Sequence, residues 1–331
     1  MNQKIPLIYG IGNPLIDIAI SVEDKDLHAL NLEKGIMHLV DEKRQAEIVT
    51  YFKNQKQDYH PGGSAPNTIL ACAGLGVPAL IAGKIGKDTF GDIYVKQAEK
   101  YGVISGLIQG NGPTGSSIIL VTPDGERTMN THLGMCRAFS EADINKEQLS
   151  QAKYLYFTGY MWDTDSQKSA IISAIQIAKE EKIQIVFDVA DPFAVSRNRD
   201  EFIKMIQNDV DIVFANQAEL AILFDSDDYE NSSRQLSQWV RSAGLKLGKK
   251  GSLVLNKGKI DPISPRLVNA KDSTGAGDMY AAGFLAGLSK GFDCSTAGKA
   301  GGFLAEEIIQ KTGAQFEVDK IQAYASSLFE S

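Results

Sequence analysis

Five short apolar runs constrain this chain most: ALIAGKIG (79–86), YLYFTGY (154–160), IQIVFDV (183–189), DIVFAN (211–216) and GSLVLN (251–256). Each is bounded by polar or turn residues, as a strand buried on both faces would be. Helical patterns lie between several of them. In DSQKSAIISAIQIAKEEK (165–182) the apolar positions 171, 172, 175 and 178 fall at helical spacing. Buried strands alternating with amphipathic helices predict an α/β fold with a mostly parallel sheet covered on both faces. In such a sheet ligands bind beyond the carboxyl ends of the strands.

Two segments break that pattern. From Ile16 to Val22 the chain alternates, with Ile16, Ile18, Ile20 and Val22 on one face and Asp17, Ala19 and Ser21 on the other. Residues 116–133, SSIILVTPDGERTMNTHL, read as two strands joined around PDGE. These half-exposed strands predict a small sheet apart from the main one.

Composition removes several classes of function. The 331 residues carry a formal net charge of −7, which argues against a nucleic-acid footprint. No apolar run approaches the ~20 residues of a membrane span, and the polar start MNQKIP is not a signal peptide. Cys72, Cys136 and Cys294 are far apart and lack CxxC spacing, which reads as three reduced thiols in a cytoplasmic protein. The four histidines show no metal-ligand spacing.

Two phosphate-binding patterns are absent. GNGPTG (110–115) matches GxGxxG in letters, but it contains Pro113 and a strand follows it where a dinucleotide site needs a helix. GLKLGKKGS is not GxxxxGK[ST], which excludes a P-loop. The motif that remains is DSTGAGDMYAAGF (272–284). After Asp278 the apolar positions 279, 281, 282, 285 and 288 predict a helix facing a core. The loop Gly275-Ala276-Gly277 then feeds a helix N-terminus, where free N–H groups and the helix dipole attract an anion. Asp278 could simply cap that helix. A cap needs no glycine loop before it, whereas phosphoryl transfer uses an anion hole beside a carboxylate that accepts a hydroxyl proton. A second glycine motif, PGGSAPNTILACAGLG (61–76), places Gly62 and Gly63 before an apolar helix, with Asn67 near its first turn. It reads as a plain helix start, or as a site where the backbone and the Asn67 amide bind substrate hydroxyls.

Together the two motifs, about 200 residues apart and in this order, resemble the two signatures of the PfkB, or ribokinase-like, carbohydrate and nucleoside kinase family. The resemblance spans nearly the whole chain. It implies one kinase domain over residues 1–331: a doubly wound sheet with helices on both faces, and a small β-sheet lid from about 13–40 and 114–134. It makes Asp278 the general base and Gly275, Ala276 and Gly277 the anion hole. Asn216 and Glu219 in ANQAEL resemble the family's N-x-x-E motif, which would organise Mg²⁺ through water and the phosphates of ATP. The same spacing is also a capping box. KLGKKGS resembles the nucleotide loop, with Gly248 and Gly251 approaching ATP, although Lys246 stands where the family usually has Thr or Ser. Arg127 matches a lid arginine that approaches the transferred phosphate. A monovalent cation, K⁺, near Asp272, Thr274 and Gly313 would follow a pattern known among ribokinase relatives.

The substrate reading begins at Asp17, a carboxylate on a strand otherwise rich in isoleucine. It can accept hydrogen bonds from two neighbouring hydroxyls of a sugar ring, and burying it without a partner would be costly. GIGNPLIDIAISV resembles the opening of the adenosine-phosphorylating branch, so Asn13 and Asp17 inherit a ribose-holding role, with Gly62, Gly63 and Asn67 beside them. Tyr160, Met161 and Trp162 are expected to wall a base pocket or to belong to the core. The leading expectation is ATP-dependent phosphorylation of a nucleoside, adenosine first. A ribose or fructose kinase with the same Asp278 chemistry is the alternative, and a non-catalytic sugar- or nucleoside-binding relative the remote one. Monomer and homodimer are both compatible with exposed lid edges.

Overall fold

Successive residues of the apolar runs point to opposite faces of a sheet, and each face has its own core. In the computed structural model, which describes residues 5–329, Tyr154 and Tyr156 pack into one hydrophobic cluster and Leu155 and Phe157 into another. Ile212 and Phe214 divide from Val213 and Ala215 in the same way. The first cluster takes side chains from the helices Ser64–Gly74, Ala276–Ser289, Cys294–Ile308 and Val318–Phe329. The second takes them from Asp165–Glu180, Pro192–Asn208 and Tyr229–Trp239. Two-sided burial is why these strands carry apolar residues on both faces.

Among the described residues the main sheet has nine strands. Their spatial order is Lys259–Ile263, Ser252–Asn256, Ser242–Lys246, Ile212–Asn216, Gln184–Asp188, Tyr154–Thr158, Ile8–Ile11, Ala79–Gly86 and Ile104–Gly110. The seven from Ser242–Lys246 to Ile104–Gly110 are parallel. The other two are antiparallel to their neighbours. The chain winds outward from Ile8–Ile11 on one side and returns to begin again at Tyr154–Thr158 on the other. The doubly wound expectation holds, and the strand order reverses beside Asn13 and Thr158.

A second sheet of five strands has the order Met37–Leu39, Arg127–His132, Ser116–Val121, Leu15–Ser21 and Asp58–Gly62. Ile16, Ile18, Ile20 and Val22 are buried as their alternation predicts, in a cluster with Leu27, Ile48 and Phe52. The opposite face carries aligned rows of residues. Asp17 pairs with Ser117, Ser117 with Thr131, and Thr131 with Leu39. Two residues further along, Ile119 pairs with Met129 and Met129 with Met37.

Four features depart from the sequence reading. Ile172 is 53% exposed, and the buried stripe of its helix runs through Ala170, Ile171, Ala174, Ile175 and Ala178. The helix after the glycine loop begins at Ala276, and residues 279–287 are all buried rather than a single stripe. The small sheet gains the strand Asp58–Gly62, an exposed edge with no apolar run to announce it. The strand Ser242–Lys246, SAGLK, is too poor in large apolar residues to stand out. The Ala276–Ser289 helix explains that composition: a methyl on Gly244 would lie 2.5 Å from the Tyr280 ring. No helix of the described residues is long and apolar enough to cross a membrane.

Gly244→Ala should therefore lower stability by ~1–3 kcal/mol, the usual cost of overpacking. The urea midpoint measures it, and a midpoint at or above wild type would contradict this account of the strand.

Candidate active site

A cavity of about 560 Å³ lies between the carboxyl ends of the parallel strands and the open face of the small sheet. It is within the size range of small-molecule sites. Its floor includes the start of the Ala276–Ser289 helix, and its roof includes Leu15, Asp17, Met37, Ile119 and Met129.

Asp278 stands in the first turn of its helix and does not cap it. Its carboxylate instead accepts from Ser64 Oγ at 2.7 Å and from Asn67 Nδ2 at 2.9 Å. Ser64 and Asn67 are three residues apart on the Ser64–Gly74 helix, so one helix face presents both donors. The Asn67 amide oxygen accepts in turn from Gln315 Nε2 at 2.8 Å, which also donates to the Pro61 carbonyl. Burial raises the Asp278 pKa to about 6, against the two hydrogen bonds, which favour the charged form. That is well placed for a group that must take up a proton near neutrality. Asn67 lines the cavity, but both ends of its amide are engaged within the protein. The amide expected to bind substrate hydroxyls instead holds the Asp278 carboxylate in this structure.

Gly275 caps the helix with φ +76°, and a methyl there would strike Ala314. The three loop amides are not equivalent. The Ala276 N–H donates to the Ser273 carbonyl at 3.2 Å. The N–H groups of Gly275, Gly277 and Asp278 have no backbone or side-chain acceptor among the described residues. Of the three residues expected to form an anion hole, Gly275 and Gly277 keep free N–H groups and Ala276 does not, while Asp278 adds one.

Asp17 and Asn13 both line the cavity. The Asn13 side-chain oxygen accepts from Gln167 Nε2 at 2.6 Å. No protein donor to the Asp17 carboxylate is found among the described residues. Burial raises its pKa to about 7, partly offset by the Arg127 charge and reinforced by Asp278. Gly62 makes room for it, since a methyl there would lie 2.3 Å from Asp17 Oδ2. Gly62 itself is outside the cavity lining, so its substrate role becomes one of space. Gly63 does line the cavity, at φ +95°, where a methyl would collide with the Asn13 carbonyl.

Arg127 reaches from the small sheet to Asp272, and the two side chains form an ion pair. Asp272 also accepts from the backbone N–H of Thr274 at 2.9 Å and of Gly313 at 2.8 Å. Burial would raise its pKa, but these N–H groups and Arg127 hold it below the usual carboxylate value. The residues expected to ring a monovalent cation come together, and the positive charge beside them is a guanidinium.

Asn216 and Glu219 form the capping box of the Gln217–Phe224 helix. Glu219 Oε2 accepts from the Asn216 N–H at 2.7 Å and Oε1 from the Asn216 amide. Both residues also line the cavity, so cap and ligand roles coexist. Burial raises the Glu219 pKa to about 7. Gly248 lines the cavity, but Gly251 turns away, and a methyl on it would meet the Ile263 carbonyl at 2.1 Å. Met161 is fully buried in the core. Trp162 stacks among Phe157, Phe187 and Phe202. Of the expected aromatic wall, Tyr160 alone reaches the cavity.

Reading the sequence missed Ser64, Asp188, Gln315 and the place of Lys246. Ser64 and Asn67 repeat at helical spacing in an otherwise apolar helix, which was a usable signal. Asp188 and Lys246 each end a parallel strand, where a charge belongs to a ligand site more often than to a core. Gln315 had no signal, because its contact spans 248 residues.

Comparison with known proteins agrees with this geometry. Residues 36–321 match the model of the pfkB family carbohydrate kinases. The adenosine kinase of Dictyostelium discoideum is 29% identical over 92% of this chain and 94% of that protein. The crystal structure of adenosine kinase from Sinorhizobium meliloti superposes with a TM-score of 0.90 and 32% identity, covering 98% of this chain and 99% of that one. A probable sugar kinase from Rhizobium etli superposes with the same TM-score and 31% identity, with the same coverage.

If Asp278 is the proton acceptor, kcat/KM should fall as pH drops through about 6, because the protonated carboxyl cannot accept a proton. Asn67→Ala removes a donor that favours the charged form. The acid limb should then move to higher pH. A limb that stays in place or moves down would exclude Asn67 as the residue that tunes this carboxylate.

Proposed function

The chain belongs to the pfkB family of carbohydrate kinases, and from that premise we propose that it transfers the γ-phosphoryl group of ATP to the 5′-hydroxyl of adenosine, giving AMP. The observation that carries the nucleoside reading is the cavity roof. Beside the Asp17 row lie Ile119, Met129 and Met37, with Leu15, Leu39 and Leu133 completing an apolar surface. A purine base would cover that surface, whereas a free ribose or fructose would leave it wet. Flat, polarisable thioether contacts from two methionines suit an aromatic ring. The base pocket is thus assigned to the roof and not to Tyr160–Trp162.

The sugar fits the polar groups. Asp17 can accept from two adjacent ribose hydroxyls, and Asn13 can donate its free amide hydrogens. The base's partner hydroxyl then points toward Asp278. Asp278 exchanges a bond to Ser64 or Asn67 for one to the 5′-hydroxyl and takes its proton as the new O–P bond forms. The N–H groups of Gly275, Gly277 and Asp278 hold the charge on the phosphoryl oxygens. Arg127, tied to Asp272, keeps the roof over the reaction and excludes water.

ATP lies toward Gly248, Asn216 and Glu219 in this reading. Glu219 and Asn216 line that part of the cavity, and their oxygens suit Mg²⁺ that arrives on ATP, acting through its water shell. A separate K⁺ is not needed to balance Asp272. A sugar kinase remains the second reading, because Asn13 and Asp17 would grip a free sugar equally well.

The test is ADP release with Mg-ATP and, separately, adenosine, guanosine, inosine, ribose or fructose. Adenosine should give the highest kcat/KM, and turnover with a free sugar alone would overturn the nucleoside reading. Asp278→Asn should lower kcat by ~10²–10⁴-fold with ATP binding retained. Asp17→Asn should act differently, raising the KM for adenosine with a smaller effect on kcat. A kcat within a few-fold of wild type in Asp278→Asn would remove the proposed base.

A further inference from the structure

Two charged groups that line the cavity, Asp163 and Lys246, have no part in the chemistry described so far, and Asp163 is paired with Arg197. Lys246 is the other. It ends the strand Ser242–Lys246 and lines the cavity, with its side chain 17% exposed. Its ammonium stands over the glycine loop: a methyl on Gly277 would lie 3.2 Å from Nζ. The neighbouring N–H groups of Gly277 and Asp278 are the free donors already identified. An ammonium therefore joins the free N–H groups of a helix N-terminus that already favours an anion.

We propose that Lys246 is a catalytic residue whose ammonium completes the anion hole and contacts the γ-phosphoryl oxygens during transfer. The inference rests on the phosphoryl-transfer reading of the 275–278 loop. In the step, the substrate oxygen–phosphorus bond forms, the bond from the γ-phosphorus to the β–γ bridging oxygen breaks, and the hydroxyl proton goes to Asp278. ADP leaves with the bridging oxygen. Lys246 keeps its proton throughout and acts by charge alone.

The alternative is that Lys246 merely neutralises the acids around it. Its bonding does not fit that role. The ammonium has three hydrogens, yet among the described residues it makes one contact, to Asp188 Oδ2 at 3.5 Å. Glu219 directs both oxygens to Asn216, and Asp278 directs both to Ser64 and Asn67. A structural counter-ion would be drawn into these carboxylates. Lys246 instead holds two N–H bonds' worth of capacity toward the cavity. Burial works against its charge, but Asp188, Glu219 and Asp278 outweigh burial and keep it protonated. An anion entering the cavity would meet a partly desolvated, permanently charged donor, where such interactions are strong.

The test measures kcat and both KM values for Lys246→Met, Lys246→Arg and the double variant Lys246→Met/Asp188→Asn, beside Asp278→Asn. Lys246→Met should lose ~10²–10³-fold in kcat, the usual cost of one anion-hole donor. Its KM for the nucleoside should stay within about threefold, since the loss belongs to the transition state. The double variant should stay impaired. Recovery in the double variant, or a kcat near wild type in Lys246→Met while Asp278→Asn is inactive, would overturn the role of Lys246 alone. Full activity in both Lys246→Met and Asp278→Asn would overturn the reading of the loop itself. If Lys246→Met does not fold, Lys246→Arg carries the test through the ratio of turnover with ATP to that with ATPγS. The ratio should change about fivefold if the charge touches the γ-phosphoryl oxygens, and an unchanged ratio would contradict it.

Discussion

The carboxylate of Asp278 ties the site together. It links two helices whose sequences lie more than 200 residues apart, through Ser64 at 2.7 Å and Asn67 at 2.9 Å. Each helix is set by the same requirement. Ser64–Gly74 lies close on the strand Ile8–Ile11, and Ala276–Ser289 lies close on Ser242–Lys246. Small residues at these crossings bring both helix starts to the floor of one cavity. A charge with so little water around it needs fixed donors. The two hydrogen bonds hold the Asp278 pKa at about 6, lower than burial alone would leave it. Proton affinity and position thus come from the same two contacts.

Topology supplies the other half. The parallel strands end together, and the reversal of strand order beside Ile8–Ile11 opens a crevice there. The five-stranded sheet covers the crevice with the face that strand alternation leaves free. One strand, Leu15–Ser21, therefore serves two ends: its isoleucines close a core while Asp17 faces the cavity. The Arg127–Asp272 ion pair joins the roof to the start of the glycine loop. Roof position and loop geometry are coupled through that contact.

Much of this was legible because it rests on local pattern. The buried runs announced a two-sided sheet, the Ile16–Val22 alternation announced a half-exposed one, and the glycine loop with Asp278 announced a helix start with free amides beside a carboxylate. What escaped has physical causes. SAGLK hid because a crossing helix requires its small residues. The base pocket was sought in Tyr160, Met161 and Trp162, since aromatic residues look like ligand walls; Met161 and Trp162 pack in the core, and the apolar surface comes from strands of the second sheet that only tertiary pairing aligns. Gly251 and Gly62 carried motif letters but serve turn and space. Lys246 looked like a departure from the family pattern, and the fold puts its charge beside the free amides.

The central claim is that Asp278 takes the proton of the hydroxyl that attacks the phosphoryl group. The most direct measurement is a crystal structure of the protein with adenosine and a non-hydrolysable ATP analogue. The account predicts the 5′-hydroxyl within ~2.6–3.2 Å of an Asp278 oxygen, a hydrogen-bonding distance for a general base, with the γ-phosphate on the amides of Gly277 and Asp278. A 5′-hydroxyl directed elsewhere, with Asp278 still bonded only to Ser64 and Asn67, would contradict it.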